Sequence, residues 1–430
     1  MKEAIFAYID RAGETAVELE TELCRRPAVS PGSGGSGEFD KAEYLEGWLK
    51  DRGFPWERID IKDDRAKGGV RPNLIVSIGE ALPGESGGGD SGGENTGRGG
   101  GSCLWIMSHL DVVPPGELSL WESDPWTVVR RDDGPLGPRL IGRGVEDNQQ
   151  GLVSSLIAAM ALREAGTAPA FPVKLLFCAD EECGSAYGID AILKQRPGLF
   201  GKNDLVLIPD GGDRRGETIE IAEKNLLWLE FTTRGKQAHG SRPDLGANAH
   251  LAGAELAVRL HDELSTRFSA VDSLFEPDYS TFEPTKKTAN VPNINTIPGE
   301  DFFCMDMRIL PRYPVETVLA EIDRIKGEVE AKHKVTIGYA APQKVESKAT
   351  PPDSPLVAML SRAVKEVYGV TTRPVGIGGG TVGAFLRNEG IHCAVWSRMD
   401  DTAHQPNEYA LLANILGDAK VMASLMIGKP

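Results

Sequence analysis

The chain has 430 residues, 40% hydrophobic and 26% charged, and its 47 Lys+Arg against 63 Asp+Glu leave a formal charge of −16 at pH 7. That composition belongs to ordinary globular proteins and excludes a collagen-like, disordered or membrane-spanning chain. A field of this sign repels phosphate, so neither nucleic acid nor an anionic membrane is an expected partner, and the length suffices for two hydrophobic cores.

Near the amino terminus, Asp10, Arg11 and Glu14 break up any apolar leader, and the longest apolar stretch, Gly151 to Leu162, is shorter than the ~18 residues a membrane span needs. Six cysteines (Cys24, Cys103, Cys178, Cys183, Cys304, Cys393) are scattered without a CxxC pair, which predicts reduced thiols and a cytoplasmic protein. The runs Pro31 to Gly37 (PGSGGSG) and Gly84 to Gly101 (GESGGGDSGGENTGRGGG) read as flexible loops. The second of these interrupts a β connection between strand-like segments at 73–79 and 104–108.

Helical periodicity marks 151–165, 248–264 and 315–332, and Ser354-Pro355 opens a further helix that stops near Gly369. The buried-strand candidates at 104–108, 173–179, 205–209 and 393–397 alternate with helices, which predicts an α/β fold with a mainly parallel, mixed sheet flanked by helices. Between about 221 and 341 the order changes to strand (226–234), helix, strand (293–297), strand (302–309), helix, strand (334–339). This is a ferredoxin-like βαββαβ unit. The expected division is therefore 1–221 with 346–430 as one domain and 222–345 as an inserted second one.

Three of those strands run into a potential metal ligand. LWIMSHLD ends in His109 and Asp111, VKLLFCADEE in Glu181 and Glu182, and LVLIPD in Asp210; the loop DDTAHQPNE after the fourth strand supplies His404. Ligand clefts in such sheets lie at the carboxyl ends of the strands, so one cleft can collect them all. A glycine-bearing turn, LIGRGVEDNQQG, adds Asp147 just before a helix. Two imidazoles (His109, His404) and three carboxylates (Asp147, Glu182, Asp210) can give each of two divalent ions one imidazole and one terminal carboxylate, with a shared carboxylate between them. Two such ions outweigh three carboxylates in charge, which favours a bridging hydroxide at neutral pH. Glu181 is then spare to act as a base, and Asp111 is placed to orient the His109 imidazole.

The motifs SHLDVVP (Ser108 to Pro114), GRGVEDNQQG (Gly142 to Gly151), ADEECGS (Ala179 to Ser185), PDGG (Pro209 to Gly212), GKQAHGSRPDLGANA (Gly235 to Ala249), MDMRILP (Met305 to Pro311), GGGTVGAFL and DTAHQPNE appear in that order along nearly the whole chain. In this the sequence resembles the dinuclear metallohydrolases that include acetylornithine deacetylase, succinyl-diaminopimelate desuccinylase, carboxypeptidase G, aminoacylase and the carnosinase-like dipeptidases. The resemblance implies a zinc-exopeptidase-like catalytic domain. It also implies that His109 and Asp210 bind one metal, Glu182 and His404 the other, with Asp147 bridging and Glu181 as general base. The inserted βαββαβ unit would be a lid, commonly used for homodimerisation, whose His239 polarises the scissile carbonyl, often in the partner subunit's site. Arg308 would bind a substrate carboxylate, with Asn295 and the Gly379-Gly380-Thr381 turn as further substrate contacts. Taken without the resemblance, His239 is most simply a surface histidine and Arg308 half of a salt bridge with Asp306.

The expected cofactors are two divalent metal ions per chain, Zn foremost and Mn or Co as alternatives. Gln149 stands where many of these proteins carry a lysine, and Val382 where deacylase-type members often carry aspartate. Asp210 as the third acid resembles the dipeptidase branch, as do GGGT and DTAHQPNE. The expected activity is hydrolysis of an amide bond in a small carboxylate-bearing peptide by a dipeptidase or exopeptidase. The alternatives are an N-acyl-amino-acid deacylase, such as a succinyl-diaminopimelate desuccinylase or acetylornithine deacetylase, and a catalytically silent binding protein of the same fold.

Overall fold

A computed structural model describes residues 1–79, 102–132, 134–135 and 137–429, so the glycine-rich insertion at 84–101 lies outside the described residues. The chain forms two compact units, one of residues 1–221, 350–374 and 385–430, the other of residues 222–349 and 375–384. Residues 375–384, which the sequence pattern leaves with the first unit, belong to the second. Gly376 bridges Phe275 there, and the Gly378 carbonyl accepts a hydrogen bond from Arg308.

The first unit is built on an eight-stranded mixed sheet, ordered Trp56–Lys62, Val70–Ile78, Val173–Cys178, Leu104–His109, Leu205–Asp213, His392–Arg398, Thr218–Glu223, Arg373–Ile377, of which residues 222–223 and 375–377 are counted with the second unit. Its centre is parallel: Ile106 lies opposite Leu175 on one side and Leu207 on the other. Every residue of Leu104–His109 is buried, as expected for a strand covered on both faces. The helix Gln150–Glu164 is buried along nearly its whole length and packs against Leu412–Ile427. Its approach to the sheet is close, since a Cβ on Gly151 would come within 2.6 Å of the Pro209 carbonyl oxygen. Only glycine lets the helix start beside the strand that carries Asp210. Pro31 to Gly37, read above as a flexible loop, is a hydrogen-bonded turn in which Gly35 and Gly37 donate to the carbonyls of Ser30 and Val29.

The second unit has a four-stranded antiparallel sheet ordered Thr281–Lys287, Glu300–Ile309, Asn225–Arg234, Thr336–Val345. Leu227, Leu229 and Phe231 alternate inward from Asn225–Arg234 and meet Leu256, Leu260 and Leu264 of the helix Ala249–Arg267 and Val318, Ile322 and Ile325 of the helix Val315–His333. This is the βαββαβ order with one correction, because the second strand is Thr281–Lys287 rather than 293–297. That strand is a sheet edge carrying Pro284, Lys286 and Lys287, the residues that blunt exposed edges and erase the alternation by which strands are recognised. Thr296–Ile297 instead pairs with Ala238–His239 in a separate ribbon. Among the described residues no helix is long and apolar enough to cross a membrane, and no disulfide is formed.

Candidate metal centre

The strands Val173–Cys178, Leu104–His109, Leu205–Asp213 and His392–Arg398 run parallel to their neighbours in this series, so their carboxyl ends share one edge. His109 is the last residue of its strand, Glu181 and Glu182 lie just beyond theirs, Asp210 sits within its own, and His404 lies in the loop after Arg398. Asp147 comes from the turn before Gln150–Glu164, where its backbone leaves helical geometry (φ −114°, ψ 96°). His404 itself has φ +64°, in the left-handed region that non-glycine residues seldom occupy.

These side chains converge. His109 Nε2 lies 2.9 Å from Asp147 Oδ1 and 3.4 Å from Asp210 Oδ1. His404 Nε2 lies 3.0 Å from Asp147 Oδ2 and 3.1 Å from Glu182 Oε2. Two three-residue clusters result, His109–Asp147–Asp210 and Asp147–Glu182–His404, each with its donor atoms within 4.8 Å of one another. Asp147 belongs to both and turns one oxygen toward each histidine.

The donor chemistry fits a pair of cations. His109 Nδ1 lies 2.9 Å from the Asp111 carbonyl oxygen, which can only accept, so Nδ1 carries the hydrogen and Nε2 presents its lone pair to two carboxylates. Only a proton or a metal ion between them removes that repulsion. Without metal the protein uses protons. Burial works against a charged His109, yet Asp210 and Asp147 raise its pKa well above 6.5. Hydrogen bonds to Asp147 and then Glu182, set against burial, raise His404 to about 10. Asp147 is held far below the usual carboxylate range: burial opposes its charge, but the two imidazoles prevail. Glu181 moves the other way, pushed well up by burial and then by Asp210.

Several supporting contacts go beyond what the sequence indicates. The Asp111 carboxylate is 3.6 Å from His109 Nδ1 and spends its oxygens on the N–H groups of Glu181 (3.0 Å) and Glu182 (3.1 Å). The imidazole is oriented by the Asp111 main chain instead, and the side chain holds the turn of Glu181 and Glu182. Asn148 donates to Asp210 Oδ1 and to the Pro209 carbonyl, both at 2.6 Å. Glu408 is buried, with its carboxyl pushed up to about 7 by burial and then by Asp147. It accepts from Arg143 Nη1 (2.5 Å) and from the N–H groups of Gly144, Glu146 and Asp147 (3.0, 3.0 and 3.1 Å). Glu146 in turn accepts from Asp400 N–H (2.6 Å) and from the Thr402 hydroxyl (2.7 Å) and N–H. Two carboxylates thus tie the Asp147 turn to the His404 loop. Both lie inside the motifs quoted above, but an acid that caps backbone N–H groups cannot be told by type from a solvated one.

The other residues expected to contact substrate, His239, Asn295, Arg308, Gly380 and Thr381, lie in the second unit. His239 is exposed and accepts at Nδ1 from the Ser241 N–H (3.2 Å), so its neutral ring carries the hydrogen on Nε2. The Asn295 carbonyl accepts from Gly240 N–H at 2.7 Å, next to that histidine, and the Asn295 side chain accepts from Asn293. Arg308 is bidentate to Asp306 (2.7 and 3.0 Å) and donates to Gly378 O (2.6 Å). Three of its five N–H donors are committed, and the salt bridge with Asp306 is present. The Thr381 hydroxyl donates to Glu223 (2.6 Å) and accepts from Gly383 N–H (3.0 Å), while a Cβ on Gly380 would meet open space.

Two outcomes follow for solution work. The neighbouring carboxylates raise the pKa of both imidazoles, and a protonated imidazole must lose its proton to ligate, so metal loading releases protons. Apparent affinity at the position of His404, whose imidazole is raised to about 10, therefore rises with pH below that value. Calorimetry in buffers of differing ionisation enthalpy reads the proton count directly. In Glu408→Gln an amide nitrogen must face backbone N–H donors, which loosens the Asp147 turn. Metal affinity should fall about 10–100-fold, as for other outer-shell partners, measured by competition with a chelating dye.

The comparisons with known proteins agree with this geometry. The family model described as peptidase family M20/M25/M40 matches residues 105–427. An uncharacterized metallohydrolase of Methanocaldococcus jannaschii is 36% identical over 428 residues, covering 96% of this chain and 99% of that protein. A succinyl-diaminopimelate desuccinylase of Cereibacter sphaeroides is 29% identical over 403 residues, covering 93% and 94% respectively. In fold, the chain is similar to a di-peptidase of Saccharomyces cerevisiae (TM-score 0.71, 18% identity, 99% of this chain and 98% of that one) and to aminopeptidase PepT of Bacillus cereus (TM-score 0.74, 17% identity, 96% and 98%). With the family pattern spanning most of its length and a metallohydrolase matched nearly end to end, the chain belongs to peptidase family M20/M25/M40.

Proposed function

We propose that this metallohydrolase is a dipeptidase or exopeptidase that cleaves the amide bond of a small substrate bearing a free carboxylate. The observation that carries the reading is Asp147 between two histidines, each with a further carboxylate beside it. In this reading His109 and Asp210 hold one divalent ion, His404 and Glu182 the other, and Asp147 both; zinc suits the nitrogen and oxygen donors, with manganese or cobalt as alternatives. Such ions, when bound, polarise the scissile carbonyl and bring the pKa of water toward neutrality.

The chain's own residues move the protons and fix the substrate. Glu181, buried among other acids and pushed up in pKa, takes the proton of the attacking water and hands it to the leaving amine. Asp111 holds the N–H of Glu181 and keeps that carboxyl in place. His239 offers its Nε2–H to the developing oxyanion, in its own site or, in a homodimer formed through the second unit, in the partner's. Arg308 keeps two N–H donors for the substrate carboxylate, with Asn295 and the main chain of Gly380 and Thr381 as further contacts.

Asp210 as the third acid, together with the GGGT and DTAHQPNE segments, favours peptides as substrates. The likeness to a succinyl-diaminopimelate desuccinylase favours a second reading, an N-acyl-amino-acid deacylase with the same centre. A purely binding role would leave the donor set without a task. A panel of dipeptides beside N-acetyl and N-succinyl amino acids, assayed with Zn, Mn and Co, is expected to favour dipeptides; a clear preference for acylated substrates transfers the protein to the second reading. Glu181→Gln should lower turnover at least about 10²–10⁴-fold, the usual share of a general base, with two metal ions per chain still bound. Retained turnover would remove Glu181 as the base.

A further inference from the structure

Behind Glu181 lies a second charged cluster that the metal centre does not use. Arg71, on the strand Val70–Ile78, and Glu38, just before the helix Phe39–Asp51, both have side chains that are 0% exposed. Glu38 Oε2 accepts from Arg71 Nε at 2.6 Å. Its Oε1 accepts from Arg71 Nη2 and, at 3.2 Å, from the Asp180 N–H. Arg71 Nη1 lies 3.2 Å from Asp180 Oδ1 and 3.7 Å from Asp63 Oδ2, the latter also paired with Arg65. Asp180 Oδ2 accepts from the Tyr187 N–H at 3.1 Å. Two residues along the strand from Arg71, Asn73 accepts from Ala179 N–H (2.8 Å) and donates to the Tyr187 carbonyl (3.1 Å).

An arginine buried among carboxylates is a weak device for stability, because desolvation offsets most of the attraction. Its placement has another consequence. Asp180 has φ +64°, in the left-handed region that non-glycine residues seldom occupy and that aspartate tolerates better than most, and it is the residue immediately before Glu181. The N–H groups of residues 179, 180, 181 and 182 are each taken by a different oxygen, from Asn73, Glu38 and the two of Asp111. The main chain is thus fixed on both sides of the base. We infer that Arg71, aligned by Glu38, is a positioning residue that sets the backbone of Asp180 and so aims the Glu181 carboxyl. The inference rests on the reading of Glu181 as the base.

Asp180→Asn tests it most sharply. Asparagine tolerates the left-handed backbone, but its amide nitrogen must face either Arg71 Nη1 or the Tyr187 N–H, and both are donors. The expected result is a kcat lower by about 10–100-fold, the scale of a misplacement near 1 Å at a reacting group. KM should stay within about two-fold, the mark of an interaction felt after substrate binds, with two metal ions per chain by elemental analysis. Glu38→Gln should act in the same direction, and Arg71→Lys should regain part of the rate lost in Arg71→Met; if the methionine variant does not fold, Asp180→Asn and Glu38→Gln decide alone. A kcat unchanged in those two variants, or metal lost in step with rate, would overturn the inference. Glu181→Gln assayed alongside separates the two layers: turnover there removes the base reading itself, whereas a silent Glu181→Gln beside unaltered Asp180→Asn and Glu38→Gln removes only the positioning role.

Discussion

Four carboxylates and two imidazoles meet at one edge of a parallel sheet, and a low-dielectric edge does not hold that many negative charges without cations between them. His109 states the constraint most simply. Its Nδ1 hydrogen is committed to a main-chain carbonyl, which leaves the other nitrogen facing Asp147 and Asp210. The cluster is a site that asks for positive charge, and the two oxygens of Asp147 divide that demand between two positions.

The rest of the first unit holds this concentration of charge in place. Gly151 lets a buried helix begin against the strand of Asp210, and Asn148 ties Asp147's neighbour to that aspartate. Glu408 and Glu146 exchange hydrogen bonds between the turn that carries Asp147 and the loop that carries His404. On the opposite side, Asp111, Asn73 and Glu38 hold the backbone around Glu181. Apart from Gly151 and Asn148, each support is a carboxylate or amide that accepts main-chain N–H groups. Such groups lose more than a single hydrogen bond when changed, because the partner they leave is buried.

The parallel strands were legible because burial on both faces writes a continuous apolar run, and three of the four runs ended in a ligand-type residue. The helix from Pro355 to Tyr368 was legible for a similar reason, with a serine cap before it and Gly369 in the left-handed conformation after it. The edge strand Thr281–Lys287 was not, since its proline and lysines serve the edge rather than the core. For the candidate centre, side-chain type and position sufficed to gather His109, Asp147, Glu182, Asp210 and His404, but not to foresee how Asp111 is used. Its carbonyl and carboxylate have different partners, and only the backbone path separates them. Arg308 is paired with Asp306, as its sequence neighbourhood alone suggested, and two of its five N–H donors are left over from the bonds to Asp306 and Gly378. Glu408 and Glu146 went unseen because most of their partners are main-chain N–H groups, and Arg71 because its carboxylate partners Glu38 and Asp180 are distant in sequence.

The shared role of Asp147 is the claim on which the account turns, and anomalous diffraction from crystals grown with zinc tests it most directly. The account predicts two peaks about 3.5–4 Å apart, one beside His109 and Asp210, the other beside His404 and Glu182, with one oxygen of Asp147 on each. A single peak, or a pair that does not have Asp147 in common, would contradict it.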